Sequence, residues 1–288
     1  MADQPLEGLL AIDLAGGVAG AYCCSLLAAA GAEVIKVEPP RKGHPLRYRA
    51  PFLKDIPAPE NSALFLFLNA GKKSVTLDCE AEDGRALLRA LVDKADALVE
   101  EAPPGYLASL GLTYDDLRRT NPRLVITSVT SHGPWDSRAA YRLDNLTLLA
   151  AAGRLNPDVG CGADEAAGHA AEYEAGLNAF AATLAGLLGV AVSERGQRVG
   201  VAGVECLAAT SVLPKLSPRP AVAAAVPSVE TEHPLAGRLA YPPLPFALEG
   251  VDYRQPAPLL GGDNAAVYGE MLGLTPDEIA SLAAKEVI

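Results

Sequence analysis

Residues 9–37 read LLAIDLAGGVAGAYCCSLLAAAGAEVIKV, and this stretch decides the fold that we predict. It divides into an apolar run at Leu9–Ile12, a glycine-rich turn at Ala15–Gly17, a helix of small residues from about Ala19 to Ala30, and a second apolar run at Val34–Val37. Gly31 stands where a helix ends easily, because glycine adopts left-handed backbone angles without strain. Two short apolar runs joined by one helix predict a βαβ unit with parallel strands.

The part of this stretch from Leu14 to Ala32 carries no charge and approaches the length of a membrane span. Four glycines interrupt it, alanine dominates it, and Asp13 and Glu33 close it. A strand, a turn and a helix inside a soluble sheet explain this composition better. We therefore predict no membrane association.

The alternation of strand and helix continues along the chain. Further strands are predicted at Lys73–Leu77, Ala97–Val99 and Leu124–Val129, with helices at Asp83–Lys94 and after Thr113. Elements that alternate at this short spacing predict the α/β class, with a doubly wound, Rossmann-like parallel sheet and helices on both faces.

The turn Gly16-Gly17-x-x-Gly20 differs from the G-x-G-x-x-G fingerprint of dinucleotide-binding sheets. No convincing acidic residue for a ribose follows at the expected distance. NAD binding is therefore disfavoured, and we expect no tightly bound cofactor.

Composition excludes several classes of function. The 288 residues carry a formal net charge of −11 without a run of Lys or Arg, which argues against a nucleic-acid partner or an anionic membrane. The five cysteines form no C-x-x-C pair, and no histidine stands at metal-ligand spacing, so we expect reduced thiols, a cytoplasmic location and no metal site. No basic segment precedes an apolar run at the N-terminus, so no secretory signal is expected.

The composition changes between Pro214 and Pro258, where ten prolines separate short apolar pieces. Proline lacks a backbone donor and favours extended chain, so this segment predicts a long crossing rather than a second domain. After it, Thr275 and Pro276 mark the start of a C-terminal helix. We divide the chain into an α/β domain at 1–213, a crossing segment at 214–258, and a C-terminal part at 259–288 whose helix returns to the α/β domain.

Several strings along the chain match those of a known enzyme family, in the family's order. They lie at Gly31–Pro39 (GAEVIKVEP), Asn69–Asp78 (NAGKKSVTLD), Pro104–Leu112, Asn121–Leu124, Tyr141–Asp144, Gly261–Asn264 and Leu272–Ile279. The chain thereby resembles family III CoA-transferases, the family of formyl-CoA transferase and carnitine CoA-transferase. The resemblance implies a Rossmann-like sheet, an interlocked dimer, and a CoA thioester as the substrate.

The segment His169–Gly176 (HAAEYEAG) resembles the part of the family that carries the catalytic aspartate, and Glu172 occupies the aspartate's position. In the family, this carboxylate attacks an acyl-CoA thioester. One added methylene moves the attacking oxygens by ~1 Å or more, which can cost ~100-fold in rate. Glu172 is therefore either a relocated nucleophile or, like Glu174, an ordinary acid that the dipole favours in the first turn of a helix.

Positions that face CoA in the family also differ. Glu101 and Ala102 replace an asparagine and an aromatic residue, and an acid there opposes phosphates and thioester electrostatically. Ser109 stands where the family often has an arginine. The candidates that remain for binding CoA phosphates are Lys72, Lys73, Arg41 and Arg47, although basic side chains are more often solvated.

Three further departures bear on function. The family's small second domain is largely missing, since only residues 214–258 span its place. His132 and Trp135 lie in a shortened version of the family's glycine loop, where we predict a buried or interface role. Leu143 stands where related racemases have a histidine, which disfavours a racemase.

Three functions remain open. The first is the non-catalytic subunit of a hetero-oligomeric CoA-transferase, of the benzylsuccinate type, paired with a full-length family III subunit that keeps the aspartate. The second is a minimal active transferase that uses Glu172. The third is a CoA- or acyl-binding scaffold without chemistry. The combined loss of the aspartate, the CoA-facing residues and the small domain favours the first.

Overall fold

The computed structural model of the protein describes residues 4–154, 168–210, 229–241 and 256–288. The strands are β1 (Leu10–Ala15), β2 (Glu33–Glu38), β3 (Lys73–Thr76), β4 (Ala97–Glu101), β5 (Val125–Thr130), β6 (Arg198–Ala202), β7 (Val229–His233) and β8 (Gly237–Tyr241). The α-helices are α1 (Val18–Ala29), α2 (Ala63–Asn69), α3 (Glu82–Val92), α4 (Tyr106–Ser109), α5 (Tyr114–Thr120), α6 (Asn145–Ala151), α7 (Ala170–Ser193), α8 (Gly203–Thr210) and α9 (Pro276–Ala284). A π-helical turn covers Ala265–Met271.

The first six strands form one parallel sheet in the order β3-β2-β1-β4-β5-β6. The chain moves outward from β1 to β3 and then crosses back to β4 on the other side of β1. This reversal opens a crevice at the carboxyl ends of β1 and β4, where sheets of this kind bind ligands. The predicted doubly wound α/β fold is confirmed.

Apolar clusters lie on both faces of the sheet. On one face, Ile12 of β1 packs in a cluster with Leu88 of α3. On the other, Val34 of β2 packs with Leu27 of α1 and Ala179 of α7. The uncharged stretch that follows β1 is thus a turn and a core helix, as the glycines and alanines indicated.

The helix α7 is long and apolar enough to cross a membrane by length and composition alone. Its inner face instead lies against the sheet and α1. The Thr183 and Thr127 hydroxyl oxygens are 2.7 Å apart, and both side chains are buried. A Cβ on Gly176 would lie 2.4 Å from the Ala19 carbonyl oxygen, so only glycine permits this approach of α7 to α1. These contacts indicate the core helix of a globular sheet protein.

The strands β7 and β8 form an antiparallel hairpin inside the proline-rich segment, where the sequence indicated no strand. The buried His233 side chain holds the turn, because its Nδ1 accepts hydrogen bonds from the Leu235 and Ala236 amides at 3.2 and 2.9 Å. A side-chain contact of this kind leaves no periodic pattern in the sequence. The division at residues 213 and 258 stays a prediction.

The C-terminal part pairs with the free edge of β3 through side chains. Asp263 and Asn264 accept hydrogen bonds from the Ser74 and Thr76 amides, both at 2.8 Å, and the Tyr268 hydroxyl donates to the Thr76 carbonyl at 2.7 Å. These side chains satisfy backbone groups that an edge strand would otherwise expose to pairing with another chain.

We expect Asn264→Ala to lower the free energy of unfolding by about 1–3 kcal/mol, because the Thr76 amide and hydroxyl both lose a partner. Urea titration followed by circular dichroism measures the change. Asn61→Ala is the control, since it removes one exposed hydrogen bond to Ile56, and its cost should stay under about 1 kcal/mol. Equal costs for the two variants would contradict the role given to Asn264.

Candidate active site

A cavity of about 80 Å³ lies at the carboxyl ends of β4 and β5, beside the first turn of α1. Its lining includes the carboxyl groups of Glu101 and Glu172, with Thr130 and Arg142. Ligand pockets of enzymes usually measure about 300–1,000 Å³, so this cavity is small for an acyl thioester. The structure therefore brings Glu172, the residue that the resemblance places at the nucleophile position, to a narrow cavity at the carboxyl edge of the sheet.

Glu172 lies in the first turn of α7, and its helix is held at that end by α6. The Asn145 side chain of α6 accepts a hydrogen bond from the Ala171 amide at 2.7 Å. Glu172 Oε2 lies 2.5 Å from His169 Nδ1, so one carboxylate oxygen is engaged. The position suits both interpretations of Glu172, because it is in a helix N-terminal turn and on the cavity wall.

Glu101 reaches the cavity because β4 runs two residues further than the sequence indicated. The Gly20 amide in the first turn of α1 donates to Glu101 Oε2 at 2.8 Å. The N-cap residue Gly17 offers no side-chain cap, and a Cβ there would lie 2.3 Å from Glu101 Oε1. Glu101 therefore caps α1 from a distant strand, in space that the glycine leaves open.

Glu101 also has an altered ionisation. Burial raises its pKa to about 7, the hydrogen bond from Gly20 opposes this shift, and the charge of Glu172 adds to it. Two carboxyl groups in one small cavity cannot both ionise without repulsion. Glu101 therefore takes up a proton near neutral pH, and in its charged form it opposes the binding of an anion.

The turn that carries Gly17 rests on a buried carboxylate at the end of β1. Asp13 Oδ2 lies 2.8 Å from Lys72 Nζ, and its Oδ1 lies 3.4 Å from Lys36 Nζ, with all three side chains fully buried. Burial raises the pKa of Asp13, but the two ammonium groups outweigh it and hold this pKa well below its usual range. Lys72 also donates to the Ala21 carbonyl at 2.9 Å, which ties α1 to the same group.

This arrangement revises the prediction for Lys72 and Arg47. Lys72 is enclosed by Asp13, Ala21 and Asn69. Arg47 is also fully buried, with two hydrogen bonds to Glu38 at 2.7 and 2.8 Å. Both cations are neutralised inside the protein, so neither presents a charge to CoA phosphates in this structure.

Lys73 and Arg41 remain exposed, but the structure brings neither to the cavity. Lys73 begins β3, so it lies at the amino-terminal edge of the sheet, and it pairs with Glu33 at 2.8 Å. Arg41 pairs with Glu286 near the end of the chain. A role for either residue in binding CoA phosphates stays a prediction.

Arg142 and Thr130 are among the polar residues of the cavity that were not singled out from the sequence. Arg142 is exposed, and its guanidinium has no hydrogen bond within the described part of the chain. The Thr130 hydroxyl oxygen is buried and has no hydrogen-bond partner there. A signal for Arg142 was present, since it belongs to the string Tyr141–Asp144 that resembles the family.

The structure places the remaining predicted positions in different surroundings. Leu143 lines the cavity, whereas Ser109 is exposed on α4 and does not. Trp135 is 64% exposed, with the Arg198 guanidinium 5.4 Å from its ring centre, so the interface role predicted for it stays open. Within the described ranges, no group of three or more His, Cys, Asp or Glu side chains could hold a metal ion.

We expect Lys72→Met to lower the free energy of unfolding by about 3 kcal/mol, because it leaves the buried Asp13 carboxylate without its nearest partner. Lys73→Met is the matched control, since it breaks a surface pair and should cost less than about 1 kcal/mol. Urea titration of both variants measures the two losses in the free energy of unfolding. A Lys72→Met variant as stable as the wild type would contradict the structural role.

We expect Glu101→Gln to change how stability depends on pH. Because the folded-state pKa of Glu101 is about 7, above the usual value of 4.5, the folded protein binds more protons than the unfolded chain between these pH values. Stability from this group is therefore present at low pH and lost as the pH rises toward 7. The stability of Glu101→Gln relative to wild type should rise by up to about 3 kcal/mol from pH 4.5 to 7.5. A pH-independent difference would show that Glu101 titrates normally.

Comparison with known proteins places these observations in a family. The family model for CoA-transferase family III matches residues 6–215. The succinyl-CoA:(R)-benzylsuccinate CoA-transferase subunit BbsE of Thauera aromatica is 42% identical over 152 residues, which is 53% of this chain and 37% of that protein. The formyl-CoA:oxalate CoA-transferase of Rhodopseudomonas palustris (strain HaA2) is 40% identical over 131 residues, 46% of this chain and 30% of that protein.

A solved structure supports the same relationship. The crystal structure of a CaiB/BaiF family protein from Brucella suis superposes with a TM-score of 0.65 and 29% identity, covering 72% of this chain and 55% of that one. The matches span only about a third of the length of the curated relatives. The family match covers most of the chain, including the turn after β1, the end of β4 and Glu172, and the chain therefore belongs to CoA-transferase family III.

Proposed function

We propose that this chain is a subunit of a family III CoA-transferase that assembles with a full-length family member and does not carry the reaction itself. The observation that supports this is the state of the cavity. Glu172 occupies the nucleophile position, but it shares about 80 Å³ with a second carboxyl group, Glu101. A site for an anionic thioester would need space and positive potential at this place, but the cavity is small and its two carboxyl groups offset the charge of Arg142.

The chemistry of CoA transfer makes demands on the nucleophile that Glu172 meets poorly in this cavity. A carboxylate oxygen must attack the thioester carbonyl carbon, and the carbon–sulfur bond then breaks with CoA leaving as the thiolate. The attack needs a free carboxylate and backbone donors for the oxygen that becomes negative. In this chain, His169 holds one oxygen of Glu172, and Glu101 occupies the Gly20 amide next to the cavity.

The outer face of α7 supports the assembly part of the proposal. Exposed apolar residues follow one another at intervals of three and four, on one side of the helix: Leu177, Ala181, Ala185, Leu188 and Val192. Leu188 and Val192 are 69% and 89% exposed. An uncharged stripe with this spacing fits the packing of a helix from another subunit.

The identity of the reaction is part of the same proposal. The relative from Thauera aromatica is named as a subunit of an enzyme that uses succinyl-CoA and (R)-benzylsuccinate. We propose the same donor and an aromatic dicarboxylate acceptor for the complex that contains this chain. A cytoplasmic location, inferred from cysteines such as Cys23 and Cys24 that form no disulfide in the structure, belongs to the proposal as well.

A second candidate is a minimal active transferase, since Glu172 does line the cavity. In this case Glu172 would form the acyl anhydride and then the glutamyl-CoA thioester. The scaffold hypothesis gains less support, because two of the four cations expected to bind CoA phosphates are buried in ion pairs. Activity of the isolated chain separates the first two functions.

We expect the chain purified alone to transfer no CoA from succinyl-CoA to (R)-benzylsuccinate, and to gain activity when it is co-expressed with a full-length family III chain from the same source. Copurification on a tag carried by one chain and release of succinate measure the two parts. Turnover by the chain alone, at a rate equal to that of the complex, would refute the proposal.

The α7 stripe supplies a control for the assembly. Leu188→Lys places a charge in the stripe and should abolish copurification, whereas Ile56→Lys changes an equally apolar residue, 55% exposed, away from α7 and should leave it intact. Loss of copurification in both variants, or in neither, would mean that α7 is not the contact surface.

A further inference from the structure

We propose that Glu101 closes the cavity as a built-in anion: its carboxylate takes the place, at the first turn of α1, that an external carboxylate oxygen would otherwise occupy. The inference deepens the proposed function, since it concerns how the same cavity is kept empty of ligand. It makes Glu101 a positioning residue that regulates access, and it gives Glu172 no new role.

The first argument comes from the geometry of the turn at the start of α1. The helix α1 has twelve residues and begins without a side-chain cap of its own. Gly17 and Gly20 have no Cβ, and the Glu101 carboxyl group occupies the space beside them. One of its oxygens lies 2.8 Å from the Gly20 amide nitrogen. A carboxylate at a helix N-terminus is stabilised there by the amides and the dipole, and any other carboxylate would gain the same stabilisation.

The second argument comes from the other polar groups of the cavity. The Thr130 hydroxyl oxygen is buried without a hydrogen-bond partner in the described residues, and a buried hydroxyl of this kind costs free energy unless an occupant satisfies it. Arg142 lines the same cavity, and its guanidinium forms no hydrogen bond with the described residues. Glu101 satisfies only the amide of α1, so an oxygen-bearing anion would find the Arg142 guanidinium as a further partner once Glu101 is removed.

The charge of Glu101, and with it the closure of the cavity, depends on pH. The charged groups that face Glu101 are Glu172 from α7 and Arg142 from the segment before α6, and Glu172 is itself in contact with His169. Because the pKa of Glu101 lies at about 7, this side chain loses its charge over the range of pH in which cells operate. The neutral acid holds the Gly20 amide less tightly and no longer repels an anion, so acidification opens the cavity.

Acetate, which is small enough for the cavity, is the probe for this inference. Carbon-13-labelled acetate is titrated into the full chain at pH 8 and constant ionic strength, and binding is followed by NMR line broadening. We expect Glu101→Ala to bind acetate at least about tenfold more tightly than the wild type, with Glu101→Gln between them. Adding Arg142→Gln to Glu101→Ala should remove the gain, which assigns the bound acetate to this cavity.

Glu100→Gln is the matched control. Glu100 is the adjacent acid of β4, it is also buried with a raised pKa, and it does not line the cavity. This variant should bind acetate like the wild type. Equal affinities of Glu101→Ala and the wild type at pH 8, or an equal gain in Glu100→Gln, would overturn the inference. If Glu101→Ala fails to fold, Glu101→Gln keeps the hydrogen-bond acceptor and decides the question by itself.

A second experiment tests the dependence of acetate binding on pH. From pH 8 to pH 6, acetate binding should tighten in the wild type more than in Glu101→Ala, whose profile reports the other groups of the cavity. Identical profiles would overturn the link to protons. This experiment measures only anion binding, so it can fail while the chain proves inactive alone, and it can succeed even if the chain turns out to be a catalyst.

Discussion

The buried carboxylate of Asp13 is the constraint on which the rest of the site depends. It stands at the end of the central strand β1, between the ammonium groups of Lys36 and Lys72, with no exposure to solvent. A buried charge of this kind is stable only with its partners in place. The three residues therefore bind β1, β2 and the segment after α2 into one unit, and they fix the turn from which α1 starts.

The closed cavity follows from that fixed turn. Because α1 begins on bare glycine backbone, its first amides are open to an anion, and the end of β4 delivers Glu101 to them. The opposite wall is set by α7, whose approach to α1 at Gly176, four residues after Glu172, leaves no room for a Cβ. The cavity beside Glu172 is thus narrow and holds a second carboxyl group, and this is the basis of the proposal that it does not serve an anionic thioester.

The sequence predicted the parts of this structure that depend on local pattern. The βαβ unit of residues 9–37 and the capping box at Thr275 are properties of neighbouring residues, and both are present in the structure. The buried roles of Lys72 and Arg47 could not be predicted, because a basic residue gives no sign of its partner; Asp13 lies 59 residues from Lys72. Likewise, Glu101 was identified as a mismatch with a CoA site, but its contact with Gly20 joins positions 81 residues apart.

We propose that the chemistry, where it occurs, takes place on another subunit and not on Glu172. The most direct test is to treat the complex with borohydride during turnover of succinyl-CoA and (R)-benzylsuccinate, because borohydride reduces an enzyme-bound acyl-CoA thioester to an alcohol. Peptide mass spectrometry then finds the modified carboxyl group. We predict modification of an aspartate in the full-length subunit and an unchanged Glu172 peptide. A reduced Glu172 in an active preparation would contradict the account.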